Sequence, residues 1–154
     1  MLPIVILVGI FFVVACGAPS ELILQARVPC IGPIYSNVPL DPARVSAAIQ
    51  EALKRLEDYG IMSRGAACEF FSGIPIYYWG DKRIIPDRDN QDGSTDLSGI
   101  RLAWGGRSLI HEMLHEIDVR RDGNLLSAAH WGWAKKNFYV VAAEDYMAKL
   151  KSWS

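Results

Sequence analysis

The strongest chemical signal in the chain is a pair of histidines four residues apart with a glutamate after the first, His111-Glu112-Met113-Leu114-His115. Four residues of α-helix turn through about 400°, so both imidazoles leave nearly the same face about one turn apart. Two ring nitrogens can then reach one metal ion and leave tetrahedral angles open for other ligands. Glu112 lies on the flank of that face, where a carboxylate can take a proton from water attacking a carbonyl and pass it to a leaving amine. Zn2+ suits such ligands, because it lowers the pKa of a coordinated water and polarises a substrate oxygen. The pattern implies metal-assisted hydrolysis, with a peptide bond as the expected target and Glu112 as the expected catalytic residue.

A catalytic zinc needs a third protein ligand and one open position. The chain has three histidines, so His130 is the leading candidate. It falls in the first turn of a helix expected to open at Ser127, and a helix N-terminus disfavours imidazolium and so favours the neutral, ligating form. Asp118, one turn after His115, suits a role orienting an imidazole and is also an alternative ligand. Glu144 in the last helix is a further alternative. Cys16, Cys30 and Cys68 have no Cys-x-x-Cys spacing, so sulfur is not expected on the metal. A transition-state oxyanion needs a donor besides zinc. Tyr77, Tyr78, Arg107 and Tyr139 are all open candidates, while Trp131 and Trp133 are expected to wall the site.

His111-Glu112-Met113-Leu114-His115 resembles the zincin metallopeptidase motif. His130-Trp131-Gly132, with Phe138 further on, is similar to the third-ligand region of SprT-like members, in which a later histidine on a following helix completes the site. The likeness covers roughly residues 100–138 and departs in one respect: the glycine stands two places after His130 rather than next to it. The metzincin extension is absent, since Asp118 replaces its glycine and Arg121 takes its third-ligand place. The basic DNA-binding parts of SprT-like proteins are missing too. The resemblance implies a small zincin-like domain in which Ile100–Trp104 is the strand that pairs with an extended substrate.

The elements that must hold these residues are short. Asp41-Pro42 is a helix start, with an N-cap followed by proline at the first helical position. Val45, Ala48, Ile49, Ala52, Leu53 and Leu56 then recur at helical spacing until Gly60. Residues 74–79 read as a strand with Pro75 at its start or on an edge, residues 84–85 as a possible extension of the sheet, and 100–104 as a second strand. The polar stretch 86–99 reads as a loop. Its Asp87, Asp89, Asp92 and Gly93 are similar to a calcium loop, but the glycine comes one residue late and Ser98 replaces the closing glutamate. Gly105-Gly106 ends the strand, the metal helix runs from about Ser108 to Arg121, and a closing helix runs from Ser127 towards Lys151. The order predicts a small α+β unit with a short mixed sheet.

Residues 1–15 carry no charge and are too short to span a bilayer as a mature anchor, but they suit the apolar region of an export signal. Val13-Val14-Ala15-Cys16-Gly17 resembles the lipobox of bacterial lipoproteins, which implies lipidation of Cys16 and attachment to an envelope membrane. No Lys or Arg precedes the run, so an ordinary cleaved signal and an uncleaved anchor remain open. The expected organisation is a signal over 1–15, a tether over 16–39 and the catalytic domain over 40–154. With Cys16 lipidated, Cys30 and Cys68 form an even pair that an oxidising compartment would let join. The net charge is −1 with no basic stripe, so no nucleic-acid partner is expected. The expected partners are a protein or peptide substrate and, through lipid, a membrane; a monomer is expected. Two alternatives use the same residues: a noncatalytic metal-binding lipoprotein, and a zinc amidase acting on cell-wall links.

Overall fold

The structure, a computed structural model, describes residues 19–86, 90–106 and 108–121. The expected export signal, Cys16, and the expected closing helix with His130 and Glu144 lie outside the described residues.

The first helix, α1 (Pro42–Asp58), forms as its sequence dictates. The Asp41 side chain accepts a hydrogen bond from the Ala43 N–H at 2.9 Å, and Pro42 takes the first helical position. All six residues of the expected apolar stripe are buried. A second helix, α2 (Arg64–Phe71), was not expected. Ser63 caps it through the Ala66 N–H at 3.3 Å, and Ala67 and Phe71, one turn apart, are buried. With only two turns and two buried positions, its period is too brief to stand out in sequence.

Five strands make one mixed sheet: β1 (Ile23–Ala26), β2 (Ile34–Ser36), β3 (Ile76–Trp79), β4 (Gly93–Asp96) and β5 (Gly99–Ala103), in the spatial order β1-β2-β3-β5-β4. The outer pairs β1–β2 and β4–β5 are antiparallel, while β2–β3 and β3–β5 are parallel. The α+β expectation with a mixed sheet holds.

Three local expectations do not. Residues 16–39 are not a tether in their described part, because β1 and β2 belong to the sheet. Pro29 and Pro33 flank these strands rather than interrupt them, and the Pro33 carbonyl accepts the Ile76 N–H at 3.0 Å. Residues 84–85 do not extend the sheet: Ile85 is buried with its N–H on the Gln91 carbonyl at 2.7 Å, and Ile84 is exposed. The stretch 86–99 is not all loop either, since it holds β4. Gly-Ser-Thr-Asp has no strand pattern of its own, and its pairing with β5 makes it one.

The main core lies on one face of the sheet. Ile34, Ile76, Tyr78, Ile100 and Leu102 pack there against α1, α2 and the third helix, α3 (Leu109–Arg121). A smaller cluster of Leu22, Tyr77, Trp79, Ile85 and Ala103 fills the opposite face. Cys30, in the β1–β2 turn, is joined by a disulfide to Cys68 on α2. No helix among the described residues is long and apolar enough to cross a membrane.

The disulfide closes a separation of 38 residues, for which chain entropy gives about 4 kcal/mol of stabilisation. The double variant Cys30→Ala/Cys68→Ala is therefore expected to lose a stability of that order. Urea unfolding under non-reducing conditions measures it, and an unchanged midpoint would contradict the link.

Candidate functional site

The site is built where β5 turns into α3. After Ala103 the chain makes a single 3-10 turn, Trp104–Gly106, in which Gly105 and Gly106 take positive φ values of 74° and 69°. Side chains rarely adopt this conformation, so two glycines stand where the chain must reverse sharply. The Tyr78 hydroxyl lies against the Gly105 backbone, and burial pushes its pKa up to about 12.

α3 then packs under β4 and β5. Leu109, Ile110, Met113, Leu114 and Ile117 are buried, and so are Glu112, Glu116 and Asp118. With apolar and acidic residues both turned inward, the helix is enclosed on nearly every side. His111 is exposed and His115 half-buried, so the expected metal-binding stripe stays open among the described residues.

The imidazole nitrogens Nε2 of His111 and His115 stand 3.2 Å apart, with the rings at 72° to one another. Two nitrogens bound to one tetrahedral zinc at about 2.0–2.1 Å would be separated by about 3.3 Å. The separation of the pair matches that distance. Its protonation state fits as well. Burial pulls His115 down to about 4, helped by the neighbouring His111 ring, and burial also lowers His111 against the opposing pull of Asp92. Both are neutral at pH 7, the form that binds metal. Among the described residues no third His, Cys, Asp or Glu joins the two in a metal-holding group.

Glu112 turns from this stripe towards the edge strand. It is 4% exposed, and burial, then Asp92 and then Glu116, push its carboxyl up to about 8. The neighbouring glycine makes its seat: a Cβ at Gly93 would stand 2.5 Å from Glu112 Oε1 and 2.5 Å from the Ser108 Cβ. Ser108 holds the approach to the helix, donating from Oγ to Asp92 Oδ1 at 2.8 Å while its carbonyl accepts the Glu112 N–H at 2.9 Å. Asp92 thus acts on both the Glu112 carboxyl and the His111 ring, while Glu116 acts on Glu112.

Strand β4 is an edge of the sheet. The Asp92 carbonyl accepts the Ala103 N–H at 2.8 Å, so by antiparallel alternation Ser94 and Asp96 also bond inward to β5. The backbone groups of Gly93 and Thr95 then point to the outer edge, which no other strand among the described residues covers.

The other expected site residues fall as follows. Asp118 is wholly buried one turn after His115. Tyr77 lies on the sheet face away from α3, stacked on Tyr35 at 5.6 Å, and is removed as an oxyanion donor. Tyr78 belongs to the main core. Ile100–Trp104 is not an edge: β5 pairs with β3 on one side and β4 on the other, so an added strand has no place beside it. His130, Glu144, Cys16, Arg107, Tyr139, Trp131 and Trp133 lie outside the described residues, as do Asp87 and Asp89. Sequence reasoning missed Thr95 and Glu116, read Asp92 and Gly93 only as part of a loop, and read Ser108 only as the start of the helix. The one available signal was the glycine within an acidic stretch, which marks close backbone approach once β4 is known to be a strand.

Compared with known proteins, the chain matches no family model, no curated protein and no solved structure.

The shifts give metal-free stability a defined pH dependence. Folded Glu112 keeps its proton up to about 8 against an ordinary 4.5, so its contribution is complete below 4.5 and is lost as the pH rises through 8. His115, lowered from 6.5 to about 4, contributes above 6.5 and loses its contribution as the pH falls through 4. Above pH 6.5 the Glu112 slope is the one left among the described residues. Tm measured in EDTA is expected to fall between pH 6.5 and 8, and Glu112→Gln is expected to flatten that fall. Equal slopes in the two proteins would refute the assignment.

Proposed function

We propose that this chain is a zinc-dependent peptidase held on an exported face of the membrane. His111 and His115 are its zinc ligands, His130 the third and Glu112 its general base. One arrangement carries the reading: two imidazole nitrogens stand 3.2 Å apart, and the adjacent Glu112 carboxyl lies against the edge strand at Gly93.

Zinc bound there supplies Lewis acidity towards water and a carbonyl oxygen. Glu112 takes a proton from the attacking water and returns it to the leaving nitrogen. In the metal-free protein, burial and two nearby carboxylates raise its proton affinity. The outward backbone groups of Gly93 and Thr95 can add an extended peptide to the sheet, which brings the peptide backbone alongside the Glu112 carboxylate. Substrate docking therefore belongs to β4 and not to residues 100–104.

The Cys30–Cys68 bond supports an oxidising compartment, consistent with an exported chain anchored by lipid at Cys16. A net charge of −1 with no basic stripe supports a peptide partner over nucleic acid.

The chain from residue 20 onwards is expected to bind one zinc, measured by elemental analysis, and to lose it in His111→Ala and His115→Ala. Glu112→Gln is expected to keep the metal and lose cleavage of a quenched peptide library by roughly 10²- to 10⁴-fold. Absence of zinc from the wild type would sink the proposal. Zinc binding without cleavage would favour a metal carrier, and cleavage confined to peptidoglycan would favour a cell-wall amidase.

A further inference from the structure

Glu116 plays no part in the chemistry proposed for Glu112, yet it is wholly buried. A carboxylate in that position is costly unless it is paired and hydrogen-bonded, and an apolar residue would fill the space without that cost. Its partners indicate what it does. Oε1 accepts the Thr95 hydroxyl on β4, and Oε2 accepts the Arg120 Nε–H one turn along α3. Arg120 then returns to the strand side, donating from Nη2 to the Leu97 carbonyl at 2.8 Å. The bracket is attached at two points on the hairpin, Thr95 and Leu97, and at two on the helix.

The spacing makes this bracket a register device. Along α3, Glu112, Glu116 and Arg120 meet Gly93, Thr95 and Leu97 in turn. Four helical residues rise about 6 Å and two strand residues about 6.8 Å, so the two rows stay in step over this length. At the head of the row the fit is tight, since only the missing side chain of Gly93 leaves room for the Glu112 carboxylate. A slide of α3 along β4 would carry Glu112 off that seat. The apolar residues beneath α3 bury it firmly but discriminate weakly among small slides, whereas a hydrogen-bonded carboxylate has one position.

We propose that Glu116 is a positioning residue: pinned by Thr95 and Arg120, it fixes the register of α3 on the edge strand and thereby seats Glu112 beside Gly93. The kinetic part rests on the peptidase reading; the register part does not. His111 and His115 ride on one helix, so their mutual geometry is independent of Glu116.

A double-mutant cycle in thermal unfolding tests the register, with the metal removed by EDTA. In the wild-type background Gly93→Ala is expected to lower Tm by about 3 °C or more, the scale of 1 kcal/mol in a chain of this size. In Glu116→Leu, where the helix is free to shift, the same substitution is expected to cost less than half as much. Thr95→Val removes the pin from the strand side and serves where Glu116→Leu does not fold. In the zinc-loaded full chain, with a quenched peptide library as substrate, Glu116→Leu is expected to lower kcat roughly tenfold to a hundredfold. KM and zinc affinity should each stay within about threefold, and Glu116→Gln should recover most of the rate. An unchanged Gly93→Ala penalty overturns the proposal, and so does a wild-type kcat in Glu116→Leu. A wild type that binds zinc and cleaves nothing fails the peptidase reading instead, and the unfolding cycle alone then decides on Glu116.

Discussion

Helix α3 must bury itself beneath an edge hairpin while carrying three carboxyl groups inward, Glu112, Glu116 and Asp118. Hydrophobic residues alone would make an easier interface, because each buried charge loses its hydration and must recover it from fixed partners. The chain handles two of these carboxyls in different ways. Glu116 is bonded at both oxygens, by Thr95 and Arg120. Glu112 has its carboxyl raised to about 8 by burial and by the carboxylates around it, so in the metal-free protein it holds a proton rather than a charge at neutral pH. The positions of the two histidines follow from the same packing. With the acidic and apolar residues of the helix turned inward, His111 and His115 keep a stripe with access to solvent among the described residues.

The rest of the domain is the platform for that interface. Parallel pairing of β2, β3 and β5 sets Ile34, Ile76, Ile100 and Leu102 in line across one face, where α1, α2 and α3 cover them. Because β5 is held on both sides, the hairpin with β4 has a fixed base, and Asp92 and Gly93 are presented at a defined place over α3. The disulfide ties α2 to the β1–β2 turn, at the end of the sheet away from β4. A site in which a carboxylate must lie within contact distance of a glycine depends on this stiffness.

Legibility in sequence followed the physics of each element. α1 could be read in full, from its cap to its six buried positions, because a long amphipathic helix records its own burial pattern. β4 could not be read. Gly-Ser-Thr-Asp has no alternation and is half-buried throughout, so its strand character comes from β5 and its position from α3. β1 and β2 were hidden among prolines that stand beside the strands rather than within them. Glu116 was hidden for another reason: next to His115 on a helix surface it looks like an ordinary solvated charge, and only the packing turns it inward.

By itself the sequence determined the spacing of His111, Glu112 and His115, and with it the shared helical face, since the geometry of an α-helix fixes the relation between residues four apart. It also determined that the fold would be α+β and that Cys30 and Cys68 were available to pair. Tertiary structure decided the relations that no local period encodes. Those are which strand forms the edge, where the Glu112 carboxyl points and how strongly it holds a proton, and which glycine makes room for it. Such properties depend on desolvation and on contacts between residues such as Gly93 and Glu112, or Thr95 and Glu116, that lie far apart in the chain and meet only when α3 packs beneath β4. The helix at 111–115 therefore brought its two imidazoles together unaided, while the seat of its glutamate was made by the fold.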